Sequence, residues 1–246
     1  MSERVEWLEP DWPVPSRVRV LSTLRSGGVS RGPYESLNLA AHVADRVDAV
    51  TENRRRLSEA AGLPDEPLWL EQVHGCDVVR HDGRSDLPRA DAAMAGEAGR
   101  VCAVLTADCL PLILADRAGT RVAAAHCGWR GLAGGVVEAT VVALDCAPRQ
   151  LVAWLGPAIG QDAFEVGGEV RDAFLRRSAA TEACFRANER GRYQADLYGL
   201  ARVLLRKAGV TDVQGGDWCT ASDAGRFFSY RRDGTTGRMA TLAWLA

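Results

Sequence analysis

The chain has 246 residues, of which 47% are hydrophobic and 25% are charged, and its formal net charge is −2. This length and composition are typical of a globular protein with enough apolar surface for one large core or two modest ones. The near-neutral charge provides no broad basic surface for nucleic acid or an anionic membrane, so we expect neither as a partner.

Membrane and secretion signals are not expected either. No apolar run approaches the roughly 20 residues of a membrane helix, and residues 1–15 are acidic and interrupted by proline, unlike a signal peptide. The seven cysteines are odd in number and form no CxxC pair, which argues against a secreted disulfide framework and a structural zinc knuckle. We therefore expect a cytoplasmic protein with free thiols.

The elements alternate irregularly along the chain. Short apolar runs predict ten strands, at residues 18–23, 68–73, 77–81, 101–106, 110–116, 121–126, 151–156, 212–220, 226–230 and 239–245. Helical periodicity with start and stop signals predicts four helices, at residues 45–62, 134–146, 167–177 and 196–209. This order is typical of an α+β fold, and the even composition without repeats predicts one domain over residues 1–246.

Two of these strands form a predicted hairpin around the sequence DRAG at residues 116–119, which has turn composition. A two- or four-residue loop pairs Cys109 directly with His126, with their Cβ atoms about 5 Å apart. A three-residue loop shifts the register by one and places the two side chains on opposite faces.

A facing thiolate and imidazole could both bind one zinc ion. His74, at a strand-to-turn position in EQVHG, is a third candidate, and two histidines with one cysteine leave the open position of a catalytic site. The alternative for each residue is a packed histidine or an inert buried cysteine. A structural zinc is disfavoured because Cys127, adjacent to His126, points to the other side of the strand.

Polar residues surround these candidates. Asp108 could orient a ligand histidine or carry a proton, or it could cap backbone amides in a turn. Arg130, before a helix, could hold an anion such as phosphate, or it could be a solvated side chain. Residues 229–238 gather Arg231, Arg232 and Arg238 around a Gly-Thr-Thr-Gly turn, either as a substrate rim or as a charged hairpin.

Six segments, in order, cover nearly the whole chain and resemble the laccase-domain family, the YfiH-type or multicopper polyphenol oxidase domain proteins, now usually described as purine nucleoside phosphorylases. They are GVSRGPYESLNLAAHVAD (28–45), EQVHG (71–75), TADCLPLIL (106–114), AHCGWRGL (125–132), GPAIGQDAFEVGGEV (156–170) and CTASDAGRFFSYRRDGTTGRMATL (219–242). The chain departs from the family at Cys127, Gln161 and Asp162, none of which is a predicted ligand.

The resemblance implies a single-domain α/β/β/α sandwich of mixed sheets with outer helices, and a catalytic zinc bound by His74, Cys109 and His126. We assign catalytic roles to Asp108 and Arg130, and substrate or phosphate binding to Asn38, Gln72 and Arg231. Copper could replace zinc in vitro, because it binds such ligands more tightly.

The implied activity is phosphorolysis of adenosine, inosine, guanosine and methylthioadenosine, with adenosine deamination as a second activity. Purine nucleosides and phosphate are then the partners of a monomer or weak dimer. The alternatives are a hydrolase that edits peptidoglycan precursors and a copper-dependent polyphenol oxidase. A full laccase cluster is disfavoured because the chain has only four histidines.

Overall fold

Residues 4–84 and 86–246 are described by the structure, a computed structural model. Its strands are β1 (Trp7–Leu8), β2 (Val18–Thr23), β3 (Val78–Arg80), β4 (Ala92–Ala95), β5 (Cys102–Thr106), β6 (Leu110–Asp116), β7 (Val122–Cys127), β8 (Leu151–Leu155), β9 (Glu165–Val166), β10 (Phe185–Ala187), β11 (Tyr193–Ala195), β12 (Asp212–Gly215) and β13 (Met239–Leu245). Its helices are α1 (Val47–Ala61), α2 (Trp129–Gly134), α3 (Val136–Ala143), α4 (Gly168–Leu175), α5 (Leu197–Lys207) and α6 (Tyr230–Asp233).

Two large sheets organise the chain. The first is antiparallel with strand order β1-β2-β13-β5, and the second is mixed with order β12-β8-β6-β7-β4-β3. In the second sheet only the outer pairs β12–β8 and β3–β4 are parallel. A third, small sheet has order β10-β11-β9.

The sheets and helices form four layers. Between the two sheets, Val20 and Val104 of the first pack with Ile113, Ala124 and Trp154 of the second. Helices α3 and α5 cover the outer face of the second sheet, and α1 covers that of the first through Leu57. The predicted α+β class and α/β/β/α sandwich are confirmed.

The central strands were predictable because the second sheet is buried on both faces. Every residue of β6 and β7 is buried, so each strand reads as a continuous apolar run rather than an alternating one. The predicted bounds of β2, β6 and β13 agree with the structure.

Three strand predictions are wrong in part. Residues 68–73 form only isolated bridges, Leu68 with Cys102 and Glu71 with Arg89. Strand β12 ends at Gly215 rather than 220, because positive φ angles at Gly215 and Gly216 turn the chain. The segment 226–230 leads into helix α6 instead of forming a strand.

Two helix predictions need correction. Helix α1 begins at Val47 and not at Asp45, whose carboxylate instead accepts hydrogen bonds from the Ser30 hydroxyl (2.7 Å) and the Asn38 amide (2.9 Å). The predicted helix at 134–146 corresponds to α3, which begins at Val136 because Gly135 has a φ of 113°, and the short helix α2 before it was not predicted. No helix within the described residues is long and apolar enough to cross a membrane.

The packing of α3 predicts opposite outcomes at two adjacent valines. Val141 is 5% exposed within the core and Val142 is 76% exposed. We expect Val141→Ala to lower the free energy of unfolding by about 2 kcal/mol, because two buried methyl groups and their contacts are lost. Val142→Ala, the control, should change it by less than about 0.5 kcal/mol. Urea denaturation measures both, and equal effects would contradict this packing.

Candidate metal centre

The β6–β7 hairpin sets the first two candidate ligands. Leu110 pairs with Cys127 and Pro111 with His126, so the register places Cys109 beside Gly128 and not opposite His126. The predicted register is therefore wrong by two positions. The cause is Asp116, whose carboxylate accepts the N–H groups of Thr120 (2.6 Å) and Arg121 (2.9 Å) and closes the turn one residue later. A shift of two preserves the face, so Cys109 and His126 remain on the same side.

The structure brings His74, Cys109 and His126 together. One candidate ligand atom from each residue lies within 4.8 Å of the other two. The Cys109 Sγ is 3.8 Å from His74 Nε2, and the two imidazoles meet edge to face with centroids 4.8 Å apart. His126 is buried, Cys109 is half-buried and His74 is exposed. The cluster is thus anchored in the sheet and open to solvent on its His74 side.

Asp91, immediately before β4, holds two members of this cluster. Its Oδ1 accepts hydrogen bonds from His126 Nδ1 (2.8 Å) and from the backbone N–H of His74 (2.9 Å). Its Oδ2 accepts the N–H groups of Gly75 (2.6 Å) and Val73 (3.2 Å). Because a carboxylate only accepts, His126 carries its proton on Nδ1 and directs Nε2 at the cluster.

Gly128 has no side chain, and this leaves room for two of the candidate ligands. A Cβ there would lie 2.7 Å from Cδ2 of His74 and 3.1 Å from Sγ of Cys109. The glycine is therefore required by the close approach of the two candidate ligands. Two residues of this region have positive φ angles, the candidate ligand His74 at 60° and Asp108 at 88°. Such strained conformations cluster at functional sites.

The electrostatics of the cluster favour a thiolate. Burial raises the pKa of the Cys109 thiol, but the charge and hydrogen bonds of His126 and His74 outweigh burial and hold that pKa below its usual value. Burial lowers the pKa of His126, but Cys109 and Asp91 outweigh it and raise that pKa. Burial raises the pKa of Asp91, yet hydrogen bonds from His126 and Gly75 hold it below its usual value.

Residues 19–246 match the family described as multi-copper polyphenol oxidoreductase laccase. The chain belongs to this family. It is 57% identical to a purine nucleoside phosphorylase of Pseudomonas aeruginosa over 97% of this chain and 98% of that protein. It is 54% identical to the purine nucleoside phosphorylase YfiH of Escherichia coli over 96% and 97% of the two chains.

Two solved structures have the same fold. A Neisseria meningitidis protein superposes with a TM-score of 0.94 at 49% identity, covering 97% of this chain and 98% of that one. YlmD from Geobacillus stearothermophilus gives a TM-score of 0.91 at 32% identity, covering 100% and 98%. The resemblance inferred from the six segments is confirmed.

Asp108, the first predicted catalytic residue of this family member, is buried and already hydrogen-bonded. Its carboxylate accepts the Thr220 hydroxyl (2.6 Å) and the backbone N–H of Arg231 (2.6 Å). These contacts are made with distant segments and not with local turn amides, and they tie the residue before Cys109 to the start of helix α6. A catalytic role for Asp108 stays a prediction.

The predicted arginines differ in what their guanidinium groups contact. Arg231 donates to the backbone oxygens of Ala163 (3.1 Å) and Glu165 (3.1 Å), which holds that segment in place. Arg130 is exposed and lies over the Trp129 ring at 4.5 Å. Arg130 is therefore the freer of the two for an anion. It lies in the first turn of α2, and not before a helix as predicted.

The side-chain amides of Asn38 and Gln72 already have hydrogen-bond partners within the fold. Asn38 bonds Ala40, the Asp45 carboxylate and the N–H of Arg238. Gln72 pairs with both backbone groups of Leu105, at 2.8 and 2.7 Å, and extends the edge of the first sheet. Both side chains hold their segments in place, and their contact with substrate stays a prediction.

Sequence reasoning missed Asp91. Its signal was a single charged residue, in the sequence RADAAMA, directly before a run of small apolar residues. A carboxylate at the start of a fully buried strand needs several hydrogen-bond donors. In the fold those donors come from residues 73–75 and from β7, which the local sequence does not reveal.

This role predicts a large loss of stability in Asp91→Ala. The substitution leaves the N–H groups of residues 73–75 and the Nδ1 of His126 without an acceptor, so we expect the metal-free protein to lose about 3 kcal/mol of unfolding free energy or more. Urea denaturation measures the loss. Asp162→Ala is the control, since its side chain is 89% exposed and its ion pair with Arg186 lies on the surface. Similar losses of unfolding free energy in the two variants would rule out this role of Asp91.

Proposed function

We propose that this chain is a zinc-dependent purine nucleoside phosphorylase acting on adenosine, inosine, guanosine and methylthioadenosine, with adenosine deamination as a second activity. In phosphorolysis the bond between the ribose C1′ and the base nitrogen breaks, and a bond forms from C1′ to a phosphate oxygen. The phosphate proton ends on the base. The observation that carries the proposal is the His74–Cys109–His126 cluster held by Asp91, in a chain similar to two proteins named purine nucleoside phosphorylase.

The donor set fits zinc. Two imidazoles and one thiolate with one open position are typical of catalytic zinc sites, and a carboxylate on the far nitrogen of a ligand histidine is their usual support. The lowered pKa of Cys109 supplies the thiolate that such a site needs. Zinc bound here would supply Lewis-acid polarisation of a substrate oxygen.

The surrounding residues would bind and orient the substrates. Arg130, exposed above Trp129, is the proposed phosphate partner, because a guanidinium binds phosphate with two parallel hydrogen bonds. Asp108 would act through Arg231, by fixing the start of α6 beside the cluster. Arg130 would hold the phosphate in position, and Asp108 would hold the backbone of α6 in position. Holding reactants in a productive orientation is a large part of enzymatic catalysis.

Phenol oxidation by several coppers is less well supported. Within residues 4–84 and 86–246 there is one group of three metal-ligating side chains, whereas a multi-copper centre needs ligands for several ions. His81, a further histidine, is 2% exposed and lines a separate cavity of about 330 Å³ with Arg54 and Trp69.

Two variants that alter the cluster test whether it binds zinc. We expect His126→Ala to lose bound zinc, and Gly128→Ala to weaken zinc binding by about 10- to 100-fold because the new Cβ displaces His74. Gly168→Ala is the matched control, since its Cβ would meet no atom within 4 Å. Metal analysis of purified proteins and competition with a chelator give the stoichiometry and affinity. Equal zinc binding by all three variants would contradict the site.

Activity is tested with inosine and phosphate. Base and ribose 1-phosphate should appear together, only when phosphate is present, and both should be lost in His126→Ala. His81→Ala, which removes a histidine outside the cluster, should retain turnover after correction for folded protein. Base release that does not require phosphate would overturn the phosphorylase proposal.

Adenosine without phosphate tests the second activity, and ammonia release that survives in His126→Ala would separate deamination from this site.

A further inference from the structure

Two exposed apolar side chains belong to segments that are connected to the metal centre. Tyr230 is 61% exposed, and Val73, next to His74, is 36% exposed. Within the described residues the other large exposed hydrophobic side chains are Val47, Leu87 and Val142. An exposed tyrosine ring in such a segment offers a flat apolar surface to a ligand.

The backbone next to Tyr230 is hydrogen-bonded to the residue that precedes Cys109. The next residue, Arg231, donates its N–H to Asp108 (2.6 Å), and Asp108 directly precedes the candidate ligand Cys109. On the other side Ser229 caps the N–H of Arg232 at 3.2 Å. The ring is therefore exposed, while hydrogen bonds of the next two residues fix the position of its backbone segment.

Arg238 lies over the ring of Tyr230. Its guanidinium carbon is 5.9 Å from the centre of the Tyr230 ring, and it donates to the backbone oxygens of Thr236 (2.8 Å) and Gly237 (3.0 Å). Burial lowers the pKa of Arg238, while the charges of Cys109, Asp108 and Tyr230 act in the opposite direction. The cation supports one side of the ring.

We infer that the Tyr230 ring is the surface on which the purine base stacks, which makes it a substrate-binding contact beside the metal centre. This inference rests on the proposed phosphorylase function. Stacking on an aromatic ring tolerates changes in the substituents of the base, because every base has a π-face. Such a contact fits an enzyme that accepts adenosine, inosine and guanosine.

The reverse reaction separates the base contact from the sugar contact. With base and ribose 1-phosphate as substrates, Tyr230→Ala should raise the KM for the base about 10-fold, which corresponds to the loss of one stacking contact. The KM for ribose 1-phosphate, kcat and zinc content should stay unchanged, because uniform binding of the base alone is lost. Tyr230→Phe retains the ring and should restore the wild-type KM.

Leu87→Ala is the control, because Leu87 is 63% exposed and belongs to the loop after β3. It should leave both KM values unchanged. An unchanged KM for the base in Tyr230→Ala, or an equal rise in both KM values, would overturn the inference while leaving the phosphorylase proposal intact.

Equilibrium dialysis of adenine against the zinc-loaded protein tests the same contact without turnover. A Kd that rises about 10-fold in Tyr230→Ala and recovers in Tyr230→Phe supports stacking. Equal Kd values, or no binding by the wild type, would overturn it. A wild-type protein that binds adenine through Tyr230 but shows no phosphorolysis would instead reject the proposed function.

Discussion

Four hydrogen bonds to one buried carboxylate organise this site. Asp91 accepts from the N–H groups of residues 73–75 and from His126, so it joins a loop, the start of β4 and the end of β7 at one point. Its own backbone oxygen accepts the N–H of His126 at 2.7 Å. A buried charge is stable only when it is well compensated, and here the compensating donors are the groups that carry two candidate ligands. The stability of the fold and the geometry of the cluster therefore depend on the same residue.

The segment of residues 28–45 is held by a second set of buried polar contacts. Asn53 of α1 donates to Ser30, Ser36 and Asn38, and its side-chain oxygen accepts the N–H of Val29 at 2.8 Å. Asn38 in turn accepts the N–H of Arg238 at 3.0 Å. A fully satisfied polar network specifies one arrangement, because any other leaves buried groups unpaired. This explains why residues 28–45, which have little regular structure, take a defined path.

The β6–β7 hairpin separates what local patterns can and cannot predict. Its strands follow from apolar runs that are buried on both faces, and its turn from the composition of residues 116–119. The register depends on how the Asp116 side chain caps the turn, a choice among several similar hydrogen-bonding patterns, and the prediction missed it by two positions. Cys109 and His126 still share a face because side chains alternate with a period of two. Short strands such as β9 and β10 were missed, since they are stabilised by their partners rather than by their own sequence.

The sequence by itself determined the fold class, the central strands, the family and the three residues that form the cluster, because strand burial and a series of six motifs are encoded locally. Tertiary structure alone decided that Asp91 supports the cluster, that Gly128 gives it room, and that Asn38 and Gln72 bond the backbone. Each of these depends on atoms brought together from distant segments: Asp91 is 35 residues from His126 and 17 from His74. Hydrogen-bond partners at such separations are set by how the layers pack, and no local pattern of residues encodes them.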